Sequence, residues 1–226
     1  MSSEAEAAKR AVSILRASTS AVLAFDGRVA PIRYVVDQTG THEPALIVAM
    51  EPPALRASEH VLFVPDERAE ALQVLGRVVP IASQGDAGTD RWQAFHGSCG
   101  KLVFGRFSAL GAKLGGEVID HTDLVVSNPF GRVQGKLCRD ANADPGALLA
   151  LLGRRGAGDV AEPVVVGVDP EGIHVRARTG VVRVPFEALC PTTEHASGAM
   201  RGLLSDRAAG EATRESEGEK RRKESA

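Results

Sequence analysis

Between residues 20 and 83 the chain is a succession of short apolar runs, each closed by turn-forming residues. SAVLAF (20–25) leads straight into Asp26-Gly27. Asp-Gly between apolar runs is a strong hairpin signal, because a type I′ turn needs positive φ at both central residues. The returning run is RVAPIRYVVD (28–37), and PALIVAM (44–50) follows a polar Gln-Thr-Gly-Thr turn. HVLFVPD (60–66) is short, whereas EALQVLGRVVPIAS (70–83) is long and carries Gly76 near its middle. A glycine there predicts a bulge or a bend at a barrel corner. Strands in such quick succession leave no room for helical crossovers, so the pattern predicts an antiparallel meander or small barrel.

Helical periodicity appears on either side of these runs. Over Ala5–Arg16, residues Ala8, Val12 and Leu15 share one face with Ala11 beside them, which predicts an amphipathic helix. TDRWQAFHG (89–97) reads as a second helix and carries the only tryptophan. The glycine-rich stretch 100–117 shows no dominant period. Further on, 116–129 is expected to contain a strand and GRVQGKL (131–137) another, with Asn128-Pro129 and Phe130-Gly131 marking the turn between them. Polar residues up to Pro145 then suggest a boundary. Asp144 is placed as an N-cap with Pro145 at the first helical position, opening a helix over 146–155. VVVGVD (164–169), IHVRA (173–177) and VVRVPF (181–186) form a three-stranded meander with turns at Asp-Pro-Glu-Gly and Arg-Thr-Gly. A last helix is expected over 194–208. From Ala209 the chain is charged and lacks large apolar residues, which predicts a disordered tail. The fold class is therefore α+β. An antiparallel barrel with flanking helices occupies 1–139, a small module of helices on a three-stranded antiparallel sheet occupies 140–208, and 209–226 form the tail.

Several function classes are disfavoured by what is missing. The 226 residues are 43% hydrophobic, enough for a sizeable core, and the net charge is −2. Near-neutrality gives no electrostatic footprint for nucleic acid, and the Lys220–Lys223 cluster is flanked by glutamates. No stretch approaches the roughly 20 apolar residues of a membrane span. The opening MSSEAEAAKRAVSILRAS has no apolar core of a secretory signal, so a cytoplasmic location is expected. Cys99, Cys138 and Cys190 have no CxxC spacing. GDAGTD, GAKLGG and GRRGAG lack the context of phosphate loops, and Ser108 and Ser127 lack that of a nucleophile elbow. None of the six histidines, His42, His60, His96, His121, His174 and His195, pairs at HxxxH or HExxH spacing. A haem needs only one axial ligand, and by position His195 and His121 are the weak candidates.

LRASTSAVLAFDGRVAPIRYVVD followed by PALIVAM resembles the opening of the pyridoxamine-phosphate-oxidase-like, FMN-binding split barrels. LQVLGRVVPI and RWQAFHG are similar to the long strand and following helix of those barrels. LVVSNPFGRVQGKL resembles the strand pair that closes the barrel in the haem-utilisation branch. GALLALLGRR with VVGVDPEGIHVRARTGVVRVPF resembles that branch's small C-terminal module, also found in plastid proteins that bind glutamyl-tRNA reductase. The resemblance runs over about residues 8–207. It implies a homodimer, with FMN at the dimer interface and, in haem-degrading members, haem stacked near the same place. A flavin phosphate needs charge-assisted partners.

Where the family carries a serine and a His-Thr-Arg-Asn-Leu-like helix start, this chain has AMEPPALRASEH. Glu51 adds a negative charge, and Arg56 and Ser58 remain as phosphate anchors. Arg33 and Tyr34 lie where the family's Pro-Tyr-Val-like run faces the flavin ring. Alternation puts Ile32, Tyr34 and Val36 on one face and Arg33, Val35 and Asp37 on the other. In DANADPGALLALL, Asn142 and Asp144 keep their places in the family's acidic-histidine motif, but proline or glycine takes the histidine's.

Two readings follow from the resemblance. One is a flavin- or haem-binding protein of oxidoreductase type, in which FMN or haem carries the chemistry and few protein groups are needed. The other is a cofactor-free split barrel that binds or regulates a tetrapyrrole-pathway partner and has lost the phosphate clamp. The sequence leaves enzyme and non-enzyme both open.

Overall fold

The computed structural model describes residues 3–37, 45–66, 68, 70–126, 128–156 and 161–205. His42, Ser127 and the charged tail lie outside them. The described chain forms two compact units that divide between Asn128 and Pro129.

The first unit opens with helix α1 (Ser3–Ala17), followed by β1 (Ser20–Phe25), β2 (Arg28–Val36), β3 (Ala45–Met50), β4 (His60–Val64) and β5 (Leu72–Pro80). Helix α2 (Ala87–His96) precedes β6 (Val103–Leu114) and β7 (Glu117–Asp120). The hairpin turn is as expected, with Asp26 at φ 47° and Gly27 at φ 69°. The strand order β3-β2-β1-β4-β5-β6 is closed by antiparallel pairing of β3 with β6, and β7 extends from β6. The result is a closed six-stranded antiparallel barrel.

The barrel interior is filled from alternate positions of each strand. Leu23, Tyr34, Leu62, Leu72 and Phe107 are fully buried there. On α1, Ala8, Ala11 and Leu15 join the same core, as its 3.6-residue periodicity predicted. β3 is buried along its whole length, unlike a one-sided strand. Leu46, Val48 and Met50 enter the barrel core. Ile47 faces α2 instead, and a Cβ on Gly88 would come within 2.7 Å of the Ile47 side chain. Glycine at 88 thus lets the helix approach the sheet closely. Asp86 caps α2 by accepting from the Gly88 and Thr89 N–H groups at 2.8 and 3.2 Å. Arg106 on β6 donates to Asp37 at 2.8 Å and approaches Asp86 at 3.8 Å. This ties the end of β2 to the helix start.

The glycine-rich stretch that showed no period is β6, the longest strand. At Gly105 the strand is crowded: a Cβ there would run into the Val78 side chain. At Gly76 the pairing of β5 with β6 shifts register, and Leu110 is the extra residue on β6. This is the expected bulge.

The second unit contains α3 (Gln134–Ala141), α4 (Pro145–Arg154), a sheet ordered β10 (Gly180–Pro185), β9 (Gly172–Ala177), β8 (Val164–Asp169), and α5 (Thr193–Ser205). The strand expected over 131–137 is not one: α3 begins there instead. Gln134, Leu137 and Ala141 are its buried residues, and that spacing belongs to a helix face. Asp144 caps α4 by accepting from Ala147 N–H at 2.9 Å, with Pro145 in the first turn. Leu137, Leu148, Leu152, Val168, Ile173 and Val175 lie in one core. Asn142 meets both backbone groups of Val165, donating to its carbonyl at 3.0 Å and accepting from its N–H at 2.7 Å. Arg183 donates to both oxygens of Asp169, at 2.5 and 2.6 Å, joining the outer strands across β9. Burial would raise the Asp169 carboxyl, but the Arg183 guanidinium holds it below the usual carboxylate range.

A Cβ at Gly76 would meet the Phe107 ring and lie 2.6 Å from the Ser108 carbonyl oxygen. Gly76→Ala is therefore expected to lower stability by about 1–3 kcal/mol. Chemical denaturation checks this, and an unchanged midpoint would show that the bulge relaxes freely.

Candidate functional site

On the outer side of the barrel, the ends of β1, β2 and β3 meet the C-terminal turn of α2 and the segment after it. Ser20 stands directly opposite Arg33, and Val22 opposite Pro31. Directly opposed residues of an antiparallel pair point to the same face. That face, together with Trp92, Ser98 and Leu102, encloses a cleft of about 450 Å³. Arg33 is the single charged side chain among the described residues of its lining. Cys99 contributes a thiol, which donates weakly to the Leu102 carbonyl at 3.7 Å.

The walls are held by hydrogen bonds to the backbone of β2. Trp92 Nε1–H donates to the Arg33 carbonyl at 3.0 Å. His96 Nε2 lies 3.0 Å from the Tyr34 carbonyl. A carbonyl can only accept, so that nitrogen carries the proton. The Trp92 ring packs between His96, at 4.8 Å, and Phe104, at 5.3 Å between centroids. Both ring nitrogens are committed, so the aromatic wall is fixed in orientation before any ligand arrives.

Of the residues singled out from the sequence, Arg33 lies in the cleft, on the outward face that alternation assigned to it. Tyr34 lies on the opposite face: it is fully buried and its hydroxyl donates to the Leu15 carbonyl at 3.1 Å. Burial raises its phenol far above the ordinary value. Arg56 and Ser58 are exposed on and just after a single 3₁₀ turn, Ala54–Arg56. Neither lines the cleft. Glu51 is exposed as well. His60, buried on β4, donates from Nε2 to the Ala54 carbonyl at 2.8 Å and anchors that turn.

The two histidines considered as haem ligands are also outside the cleft. His121 is exposed with Nδ1 3.1 Å from Asp120. His195 is exposed on α5, in the second unit, with Nδ1 2.9 Å from the Thr192 hydroxyl. Among the described residues no group of three or more His, Cys, Asp or Glu side chains could hold a metal ion. No described helix is long and apolar enough to cross a membrane.

Trp92 and Ser98 were not singled out as site residues. Their signal was present: the only tryptophan, placed three residues before Phe95, gives a helix one aromatic stripe. That it also forms a wall depended on where the helix ends.

No family model matches the chain, and no curated protein matches it. Among solved structures it is similar to a protein of unknown function from Agrobacterium tumefaciens. They share 17% identity over 87% of this chain and 94% of that one, with a TM-score of 0.62. It also aligns with a haem-binding protein from Mycobacterium smegmatis at 16% identity, over 88% and 96% of the two chains, with a TM-score of 0.42. The first likeness is one of fold alone.

Burial pushes the His96 imidazole down to about 4; the Tyr34 carbonyl opposes this and the Arg33 charge adds to it. The unfolded chain titrates near 6.5, so it takes up a proton there that the folded state refuses. His96 therefore supports the fold fully above pH 6.5, and its contribution is lost as the pH falls toward 4. Arg33→Ala is expected to raise the His96 pKa in an NMR titration. No change would mean that the Arg33 charge does not reach the ring.

Proposed function

We propose that the barrel binds a flat, largely apolar ligand bearing an acidic group, of the flavin or haem class, in the cleft beside Arg33. The observation that carries this reading is one guanidinium set among apolar and aromatic walls in a cleft of about 450 Å³. Small-molecule sites are typically of about 300–1,000 Å³, with a few polar groups fixing orientation. Among the described residues the lining includes no carboxylate, imidazole or amine. The chain's own part is thus to bind and orient, and a bound flavin or haem would supply any redox chemistry.

Arg56 and Ser58, the phosphate anchors implied by the family resemblance, stand on and just after a turn that does not line this cleft, and the proposed anchor is Arg33. In the alternative reading the same cleft serves a cofactor-free binding or regulatory protein, and the spectra below separate the two. Homodimerisation belongs to the proposal as well. Leu75, Val79, Leu110 and Val118 are exposed on β5, β6 and β7, and apolar residues so placed suit a second copy. A monomeric mass by analytical ultracentrifugation at micromolar concentration would remove that part.

The test is an absorption spectrum of the protein with FMN, and separately with haemin, before and after gel filtration. Flavin or Soret bands that stay with the protein are the expected result for one of the two. Arg33→Ala should weaken binding of the retained ligand about tenfold, the worth of a charge-assisted hydrogen bond. Arg56→Ala should leave it unchanged. Equal loss in both variants, or loss in neither, would overturn the assignment of the site.

A further inference from the structure

We infer that the Arg33 subsite selects a carboxylate over a phosphate, so that the ligand class is a flat apolar carboxylic acid rather than a phosphate ester. This rests on the cleft being the ligand site.

The inference follows from counting charge and donors at the cleft. Arg33 makes no ion pair with any described residue, and its side chain is exposed at the cleft. Its cross-strand neighbours are Ser20 on one side and Ala49 on the other. Ala49 offers only a methyl group. Ser20 supplies one hydroxyl on the same face. The described lining therefore offers one positive charge, a planar fork of N–H donors and the hydroxyls of Ser20 and Ser98.

A carboxylate matches that set. It carries one negative charge and two oxygens in a plane, and accepts two parallel N–H bonds from a guanidinium. A phosphate monoester carries close to two negative charges above pH 7. Arg33 would balance one of them. The second would be left against Val22, Pro31, Trp92 and Leu102, where no other cation among the described residues lines the cleft and an uncompensated charge is costly. Glu51, Arg56 and Ser58 do not alter the count, because none of them lines the cleft.

The test uses three probes with one ring: 2-naphthoate, 2-naphthyl phosphate and 2-naphthamide. Binding of each is measured by titration calorimetry at pH 8 to the full chain, to Arg33→Gln and to Arg33→Lys. Circular dichroism confirms that the variants are folded. Naphthoate is expected to bind about tenfold more tightly than the other two, the difference between a charge-assisted pair and a neutral hydrogen bond. Arg33→Gln should erase that preference. Arg33→Lys, which keeps the charge but loses the fork, should keep only part of it.

Phosphate binding as tightly as carboxylate, or a carboxylate preference that survives in Arg33→Gln, overturns the inference. Three probes bound equally well would leave the cleft as a ligand site and overturn only the carboxylate selection. Binding of none, the neutral amide included, overturns the ligand-site reading and this inference with it.

Discussion

The pairing of β3 with β6 holds the barrel shut, and most of the first unit depends on it. Six consecutive pairs, from Ala45 opposite Ser108 to Met50 opposite Val103, join strands far apart in sequence. Bringing distant segments together costs loop-closure entropy. The return is that no edge strand is left in the six-membered ring, and β3 gains a covering on both faces. Its inner residues fill the barrel, and its outer face takes α2. The helix docks closely because residue 88 is a glycine, and it stays in register because Asp86, Arg106 and Asp37 fasten its first turn.

That docking creates the cleft. α2 ends at His96 over the outer face of β2, and two ring nitrogens from its last turns are spent on the consecutive carbonyls of Arg33 and Tyr34. The strand's alternation then separates the two residues. Tyr34 goes inward to fill the barrel and bond the end of α1, while Arg33 goes outward into the cleft. One strand residue thus stabilises the fold, and its neighbour supplies the only charge among the described residues of the cleft. The described lining brings together a preset aromatic wall, a cation and two hydroxyls.

Much of the architecture was legible because it is locally encoded. Asp26-Gly27 dictates its turn through backbone sterics, and Asp144-Pro145 starts a helix by capping it. Gly76 marked a bulge because few other residues tolerate such crowding. The errors fell where tertiary context overrides local pattern. β6 hid behind its glycines, one of which, Gly105, is pressed by the Val78 side chain of the neighbouring strand. The segment 131–137 looked extended, yet the spacing of Gln134, Leu137 and Ala141 answers a core that other elements provide. For the cleft, alternation put Arg33 on the outward face, while Arg56 and Ser58 lie on and just after a turn outside it.

By itself the sequence determined what short segments do: which residues turn, which cap, and which alternate between core and solvent. These are consequences of φ preferences, side-chain donors and period, all acting over a few residues. Only the tertiary structure decided that β3 meets β6, that Arg183 reaches across β9 to Asp169, and that Trp92 stands beside Arg33. Those pairings join segments with no local preference for each other. They are chosen because closing the barrel and covering its outer face bury apolar surface while leaving the backbone hydrogen-bonded.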